Sequence, residues 1–190
     1  LKSYVDPFRV DGSGEFHLKS HKPGEKGDLD KETAHRIIDA NRGRLRELQE
    51  KLYAHDRWSV LLIFQGMDAS GKDGATKSLL EFVNPAGVEV TDFKAPSSEE
   101  LAHDFLWRVH KQTPRRGEFS IFNRSHYEDV LVVRVNNLAP ESIWKERYGH
   151  IRDFEELLVE HDTIVIKFFL HISRDEQKKR LLEREEDDKN

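Results

Sequence analysis

Val60-Leu61-Leu62-Ile63-Phe64-Gln65-Gly66-Met67-Asp68-Ala69-Ser70-Gly71-Lys72-Asp73-Gly74 decides the reading of this chain. A short apolar run, bounded by glycine, predicts a buried strand from Trp58 to Phe64. A helical pattern from Gly71 to about Val83 follows, stopped by Asn84-Pro85 and Gly87. Between them stands Gly, four residues, then Gly-Lys. Glycines let the backbone turn its N–H groups toward a phosphate, the helix N-terminus adds positive potential, and the lysine adds a full charge. Gly66, Met67, Ala69, Ser70, Gly71, Asp73 and Gly74 are therefore read as the phosphate- or nucleotide-binding loop, with Lys72 as its catalytic cation.

The loop departs from the usual pattern at position 73, where Asp replaces the hydroxyl residue, and Asp68 places a second acid inside it. Carboxylates repel bare phosphate, whereas Mg²⁺ takes both as ligands. Asp68 is read as the metal-binding or substrate-activating acid. Asp73 is read chiefly as favouring its helix N-terminus, an effect of about 0.3–1 kcal/mol.

Outward from the loop, strands alternate with helices. Asp28 or Asp30 caps a helix to about His55, with Ala34, Ile37, Ile38, Leu45, Leu48 and Leu52 at helical spacing. Val88–Phe93 and Phe119–Phe122 read as strands, Ser97 or Ser98 opens a helix through His110, and Pro140 begins another whose apolar face carries Ile143, Trp144, Ile151, Phe154, Leu157 and Leu158. Thr163–Ile172 reads as a fourth buried strand interrupted by Lys167, and Ser173 caps a charged helix. This order implies an α/β fold, a parallel sheet covered on both faces, with ligands at the C-terminal strand ends. The domain is expected over 30–190, behind an irregular segment 1–29 rich in Gly and Pro.

Lys94 and Asn123-Arg124 also follow strands, so they fall on the same sheet edge as the loop. Arg124 suits developing phosphoryl charge, and Asp129 or Glu128 suits a metal, one of the two as ligand. Ser125-His126 makes no nucleophile pair, because adjacent residues rarely face each other and no orienting acid is specified. Arg108 and Lys111, at i and i+3, share a predicted helix face. With Arg115 and Arg116 they form a candidate track for a long anion. Arg180 and Arg184 lie one turn apart on the last helix, either as lid arginines or as members of surface ion pairs.

Composition sets outer limits. The 190 residues suit one domain with a sizeable core. A net charge of -5 and a pI near 6.1 argue against general nucleic-acid binding. Charged residues at 35% and a mean hydropathy of -0.75 describe a well-solvated chain. No apolar run approaches the roughly 20 residues of a membrane helix, and no signal-peptide layout opens the chain. Cysteine is absent, which removes disulfides and thiolate metal sites; a cytoplasmic location is expected. The first residue is Leu, which reads as a fragment or a processed form.

Gly66–Gly74, Phe93-Lys94-Ala95-Pro96, His103-Asp104-Phe105-Leu106-Trp107-Arg108 and Phe122-Asn123-Arg124-Ser125-His126-Tyr127-Glu128-Asp129, in this order, resemble the polyphosphate kinase 2 family over nearly the whole chain. Tyr127–Val132 is most similar to the subgroup acting on both nucleoside mono- and diphosphates. The resemblance implies a P-loop kinase fold, three layers α/β/α, with a partial helical lid starting near 173. It implies phosphoryl transfer between inorganic polyphosphate and AMP or ADP, dependence on Mg²⁺ with Mn²⁺ as its substitute, and a homo-oligomer. Asp68, Lys72, Arg124 and Asp129 are then expected at the reacting centre, Asp68 and Asp129 also on the metal. Family members continue past Asn190, so the lid is expected to be cut short there. Two other readings compete: an ATP-dependent nucleoside monophosphate kinase of thymidylate-kinase type, and a catalytically silent polyphosphate-binding module.

Overall fold

A computed structural model describes residues 2–187, which fall into two units: Asn41–Leu170, and the residues up to Ala40 together with those from His171 onward. The expected interruption of the lid at Asn190 lies outside the described residues.

The first unit holds α1 (Lys2–Val5), two 3-10 turns (Asp6–Phe8 and Leu18–Ser20) and the start of α2 (Lys31–His55). The segment 1–29 is thus mostly irregular, as its glycines imply, but not wholly so. Asp30 caps α2 by accepting the Thr33 N–H at 2.6 Å.

In the second unit the sheet is built from β1 (Ser59–Gly66), β2 (Val88–Asp92), β3 (Phe119–Asn123) and β4 (Thr163–Leu170). Its order is β2-β3-β1-β4, and every pair is parallel. The register sets Val60 opposite Phe119 and Ile164, and Phe64 opposite Asn123 and Phe168. Alternate β1 side chains feed two cores. Leu61 and Ile63 pack with Phe93, Val109, Phe122, Phe154 and Leu158 on one face. Phe64, with partly buried Val60 and Leu62, packs with Val83, Ile121, Leu45, Leu52 and Leu79 on the other.

The helices follow from these faces. α3 (Lys72–Leu80) and the C-terminal part of α2 cover the second face. α5 (Trp107–His110) and α7 (Glu141–Glu160) cover the first, with α6 (Glu128–Val135) leading into α7. From β1 the chain crosses β3 to reach β2, and from β3 it crosses β1 to reach β4, in the opposite direction. Right-handed crossovers then put the two connections on opposite faces. The reversal opens a crevice between the C-terminal ends of β1 and β3, the place where open parallel sheets bind ligands.

Two expectations need correction. The helix expected through 97–110 is two short ones, α4 (Ser98–Leu101) and α5. Ser97 and Glu100 form a reciprocal cap for α4, and the Asp104 carboxylate then takes the Leu106 N–H at 3.0 Å, diverting the chain. Arg108 and Lys111 consequently share no face: Arg108 is buried and Lys111 is exposed over the Trp107 ring. Among the described residues β4, expected as a buried strand, pairs only with β1, and its Ile164, Phe168 and Phe169 are about half exposed.

In the first unit α8 (Arg174–Asp187) is capped by the Ser173 hydroxyl, which takes the Glu176 N–H at 3.1 Å. Its face carries the i, i+4 pairs Arg180–Glu176 and Lys179–Glu183. No helix among the described residues is long and apolar enough to cross a membrane.

Candidate active site

β1 ends in Gly66 because no side chain fits there: a Cβ would stand 2.7 Å from the Ser70 hydroxyl and 2.8 Å from the Leu170 carbonyl oxygen. The loop turns through Ala69 at φ 59° and Gly71 at φ 100°, both left-handed, and closes with Ser70 N–H on the Met67 carbonyl at 3.1 Å. The Ala69 conformation is one that costs of order 1–3 kcal/mol outside glycine and marks a constrained site. Asp68 supports the turn by accepting the Ala69 N–H at 2.9 Å.

Lys72 begins α3 and folds its ammonium into the loop, donating to the carbonyls of Gly66 (2.9 Å) and Met67 (3.0 Å). Burial depresses its pKa, with Arg124 acting in the same direction; Glu128, Asp68 and Asp73 oppose the shift. Those four charges therefore stand around one ammonium. The structure brings together Asp68, Lys72, Asp73, Arg124 and Glu128 from two chain segments.

Asp73 has a partner the sequence did not reveal. Its carboxylate accepts the Asn123 side-chain amide at 2.6 Å, so it joins α3 to the tip of β3 as well as lying in a helix first turn.

Arg124 follows β3 in a left-handed conformation, φ 63°, with its N–H on the Phe64 carbonyl at 3.2 Å. Its side chain is exposed while the next two residues are fully buried. Ser125 donates to Gln65 at 3.2 Å, and Gln65 donates to Glu128 at 2.6 Å. The Ser125 hydroxyl also takes the Tyr127 N–H, and His126 turns away to Glu155, so the two form no nucleophile pair.

Asp129 is held at two points. Arg108 meets its carboxylate at 3.2 Å, and Arg147 donates to its backbone oxygen at 2.6 Å. Arg108 also donates to the Lys94 carbonyl at 2.8 Å, which pins the strand end beyond β2 while the Lys94 side chain stays exposed.

The expected row of cations does not form. Arg108 is 7% exposed and engaged with Asp129 and Glu100. Arg115 and Arg116 precede β3 at Phe119, hence at the N-terminal edge of the sheet. A strand of five residues separates that edge from Arg124, about 16 Å at 3.3 Å per residue. Lys111 is exposed beside Trp107. Gly74 lies in α3 with open space around it. Arg180 and Arg184 are on α8, Arg180 paired to Glu176 at 2.7 Å.

Sequence reading missed Gln65, Arg147 and Glu155 as parts of the site, and it placed Asn123 on the sheet edge without its partner Asp73. Arg147 and Glu155 come from α7, far along the chain, and nothing local marks them. Lys167, conspicuous in an apolar strand, was the one available signal: it pairs with Glu155. No three His, Asp or Glu among the described residues gather into a metal cage.

The arrangement can hold a polyanion by its phosphates and neutralise charge developing on them. Comparison with known proteins agrees. The family profile described as Polyphosphate kinase 2 (PPK2) matches residues 28–190. An AMP/ADP-polyphosphate phosphotransferase of Meiothermus ruber is 51% identical over 179 residues, 93% of this chain and 67% of the relative. An ADP-polyphosphate phosphotransferase of Rhodopseudomonas palustris is 47% identical over 173 residues, 84% of this chain and 60% of the relative. The crystal structure of Polyphosphate Kinase 2 from Arthrobacter aurescens TC1 superposes with a TM-score of 0.90 at 42% identity, covering 96% of this chain and 66% of that one. The chain thus spans between 60% and 67% of the length of these three proteins. With the P-loop kinase sheet, the loop around Lys72 and a profile match reaching from the start of α2 to Asn190, this chain belongs to the polyphosphate kinase 2 family.

Proposed function

We propose that the protein transfers phosphoryl groups between inorganic polyphosphate and AMP or ADP, yielding ADP or ATP. The observation that carries this reading is the gathering of Lys72, Arg124, Asp68, Asp73 and Glu128 at the crevice between β1 and β3. The names of the relatives supply the substrate class.

Phosphoryl transfer needs positioning and charge neutralisation more than covalent chemistry from the protein. The loop N–H groups and the α3 N-terminus receive phosphate oxygens. Lys72, already seated in the loop, supplies a fixed cation there, and binding an anion reverses the penalty its burial imposes. Arg124, exposed on a constrained backbone, faces the charge that develops during transfer. Polyphosphate offers only repeating oxygens, so cations set along one sheet edge suffice to recognise it.

The donor set suits Mg²⁺, with Mn²⁺ as a substitute. Asp68 and Asp129 offer hard carboxylate oxygens, and Mg²⁺ is commonly held by one or two carboxylates with phosphate oxygens and water completing the shell. Held there, the cation would supply positive charge that offsets the charge of the phosphate groups. Exposed Leu131, Val135 and Leu138 support a homo-oligomer, which light scattering tests.

The decisive assay combines the full-length protein, Mg²⁺, polyphosphate and ADP with no ATP, and follows ATP formation; AMP and ADP formation make the parallel assay. Turnover is expected and Lys72→Ala should remove it. Turnover only when ATP is the donor would establish the thymidylate-kinase type instead, and binding of polyphosphate without turnover would leave a silent module.

A further inference from the structure

Glu155 lies on α7 and belongs to no phosphate-binding motif, yet three donors from two segments converge on its carboxylate. His126 Nε2 meets Oε1 at 3.2 Å and the Tyr127 hydroxyl donates to Oε1 at 2.8 Å. The Lys167 ammonium, from β4, donates to Oε2 at 2.5 Å and also to the Tyr127 oxygen at 3.1 Å. The Glu155 side chain is 12% exposed and His126 is fully buried. An ionised acceptor requires the proton of His126 on Nε2. Nδ1 has no partner among the described residues, and the ring packs against Phe154 and Tyr127. Its orientation in the hydrogen-bond network thus depends on Glu155.

Burial alone would push the Glu155 carboxyl up. The hydrogen bonds from His126 and Lys167, the Lys167 charge and the Tyr127 hydroxyl outweigh it and hold the pKa low. Burial likewise works against the Lys167 charge, and its bonds to Glu155 and Tyr127 win, raising its pKa. Both groups are ionised at neutral pH, and the cluster is satisfied on the Glu155 side.

The cluster adjoins the residue that bears the strain. Arg124 holds φ 63°, and such a conformation persists only where surrounding structure over-determines it. Upstream, its N–H is tied to β1. Downstream, His126 and Tyr127 are tied to α7 and β4 through Glu155. Arg147, eight residues earlier on the same helix, takes the Asp129 backbone oxygen. α7 therefore grips the segment 126–129 at two places two turns apart.

We propose that Glu155, neutralised by Lys167, is a positioning residue that acts through His126 and Tyr127 to set the presentation of Arg124 to the phosphoryl group. The proposal rests on the polyphosphate-kinase reading above. Glu155 touches no substrate; its removal leaves phosphate binding in the loop intact and misplaces the cation needed during transfer.

The test uses the full-length protein and five variants: Glu155→Gln, Lys167→Met, the double variant, Arg124→Lys, and Arg124→Lys with Glu155→Gln. In Glu155→Gln the amide oxygen can still accept from His126 and Tyr127, but the amide nitrogen opposes the Lys167 ammonium. Removing Lys167 as well relieves that opposition. For each, kcat and KM are measured with the fraction folded and Tm, together with amide exchange over residues 124–129. Glu155→Gln is expected to lower kcat at least tenfold with KM for both substrates changed less than threefold. The double variant should recover part of kcat. Arg124→Lys should make Glu155→Gln nearly silent, and exchange over 124–129 should quicken in Glu155→Gln. An unchanged kcat per folded molecule, or fully additive losses with Arg124→Lys, would overturn the proposal. Wild-type turnover decides the kinase reading separately. Were it absent, unchanged exchange over 124–129 in Glu155→Gln would overturn the positioning role, and quickened exchange would support it.

Discussion

The Asn123 amide donates to the Asp73 carboxylate at 2.6 Å, joining the last residue of β3 to the first turn of the helix that follows the phosphate loop. The acid that seems misplaced in the loop motif is thus a strut across the β1–β3 crevice. Asp73→Ala and Asn123→Ala should each destabilise the protein by about 1 kcal/mol, the net worth of one exposed hydrogen bond to a charged group. Made together they should cost less than the sum, with a coupling of roughly 0.5–1 kcal/mol in a denaturant double-mutant cycle. Strict additivity would remove the strut.

What the chain discloses about itself divides along sequence distance. The loop, α3 and β3 are legible because Gly66, Lys72 and Arg124 sit in local patterns whose period and punctuation are strong. Edge and centre are not legible in an apolar run. Thr163–Leu170 reads like β1, and only the order β2-β3-β1-β4 among the described residues leaves Phe168 and Phe169 at an edge. A basic side chain likewise carries no label for its direction. Arg108 and Arg116 look equivalent in sequence, but the break between α4 and α5 turns the first inward to Asp129, and the second lies at the far edge of the sheet. Partners such as Arg147 and Glu155 are chosen by tertiary packing of α7, which local spacing cannot express.

Two glycines of the loop region should respond with opposite signs. Gly66→Ala forces a Cβ to within 2.8 Å of a backbone oxygen that cannot move aside cheaply. Strain of roughly 1–3 kcal/mol is expected, together with loss of turnover. Gly74→Ala meets nothing within 4 Å inside α3 and should gain about 0.5–1 kcal/mol from lower unfolded-chain entropy and better helix propensity. In thermal unfolding this appears as a Tm rise of about 1–3 °C. A fall in Tm for Gly74→Ala would mean that the helix start is not shaped as described.

Arg108 separates a clamp from a track. Its guanidinium is buried against Asp129 and the Lys94 carbonyl. Arg108→Met leaves Asp129 without its counter-charge and should cost about 3–5 kcal/mol, the usual effect of breaking a buried pair. Turnover should fall whatever the length of the polyphosphate. If Arg108 instead contacted polyphosphate directly, Tm would hold and KM would rise for long chains above short ones. Urea unfolding and a chain-length series read both outcomes.

The Glu155–Lys167 pair should leave a signature in stability against pH, and its direction follows from the two shifts. Despite burial, the hydrogen bonds from His126 and Lys167 hold the folded Glu155 below the ordinary carboxylate value of 4.5. Its contribution is complete above 4.5 and vanishes as pH falls through the folded value. Lys167 is the converse: despite burial, its bonds to Glu155 and Tyr127 raise it above 10.5. Its contribution is complete below 10.5 and is lost as pH rises through the folded value. Burial and the Glu155 charge also raise Tyr127 above 10.0, so it adds to the alkaline loss. The stability difference between wild type and the Glu155→Gln, Lys167→Met double variant should therefore be level from about pH 5 to pH 10 and shrink beyond both ends. Denaturant unfolding across that range measures it, and a difference that stays flat into acid would show that the Glu155 bonds contribute nothing to the fold.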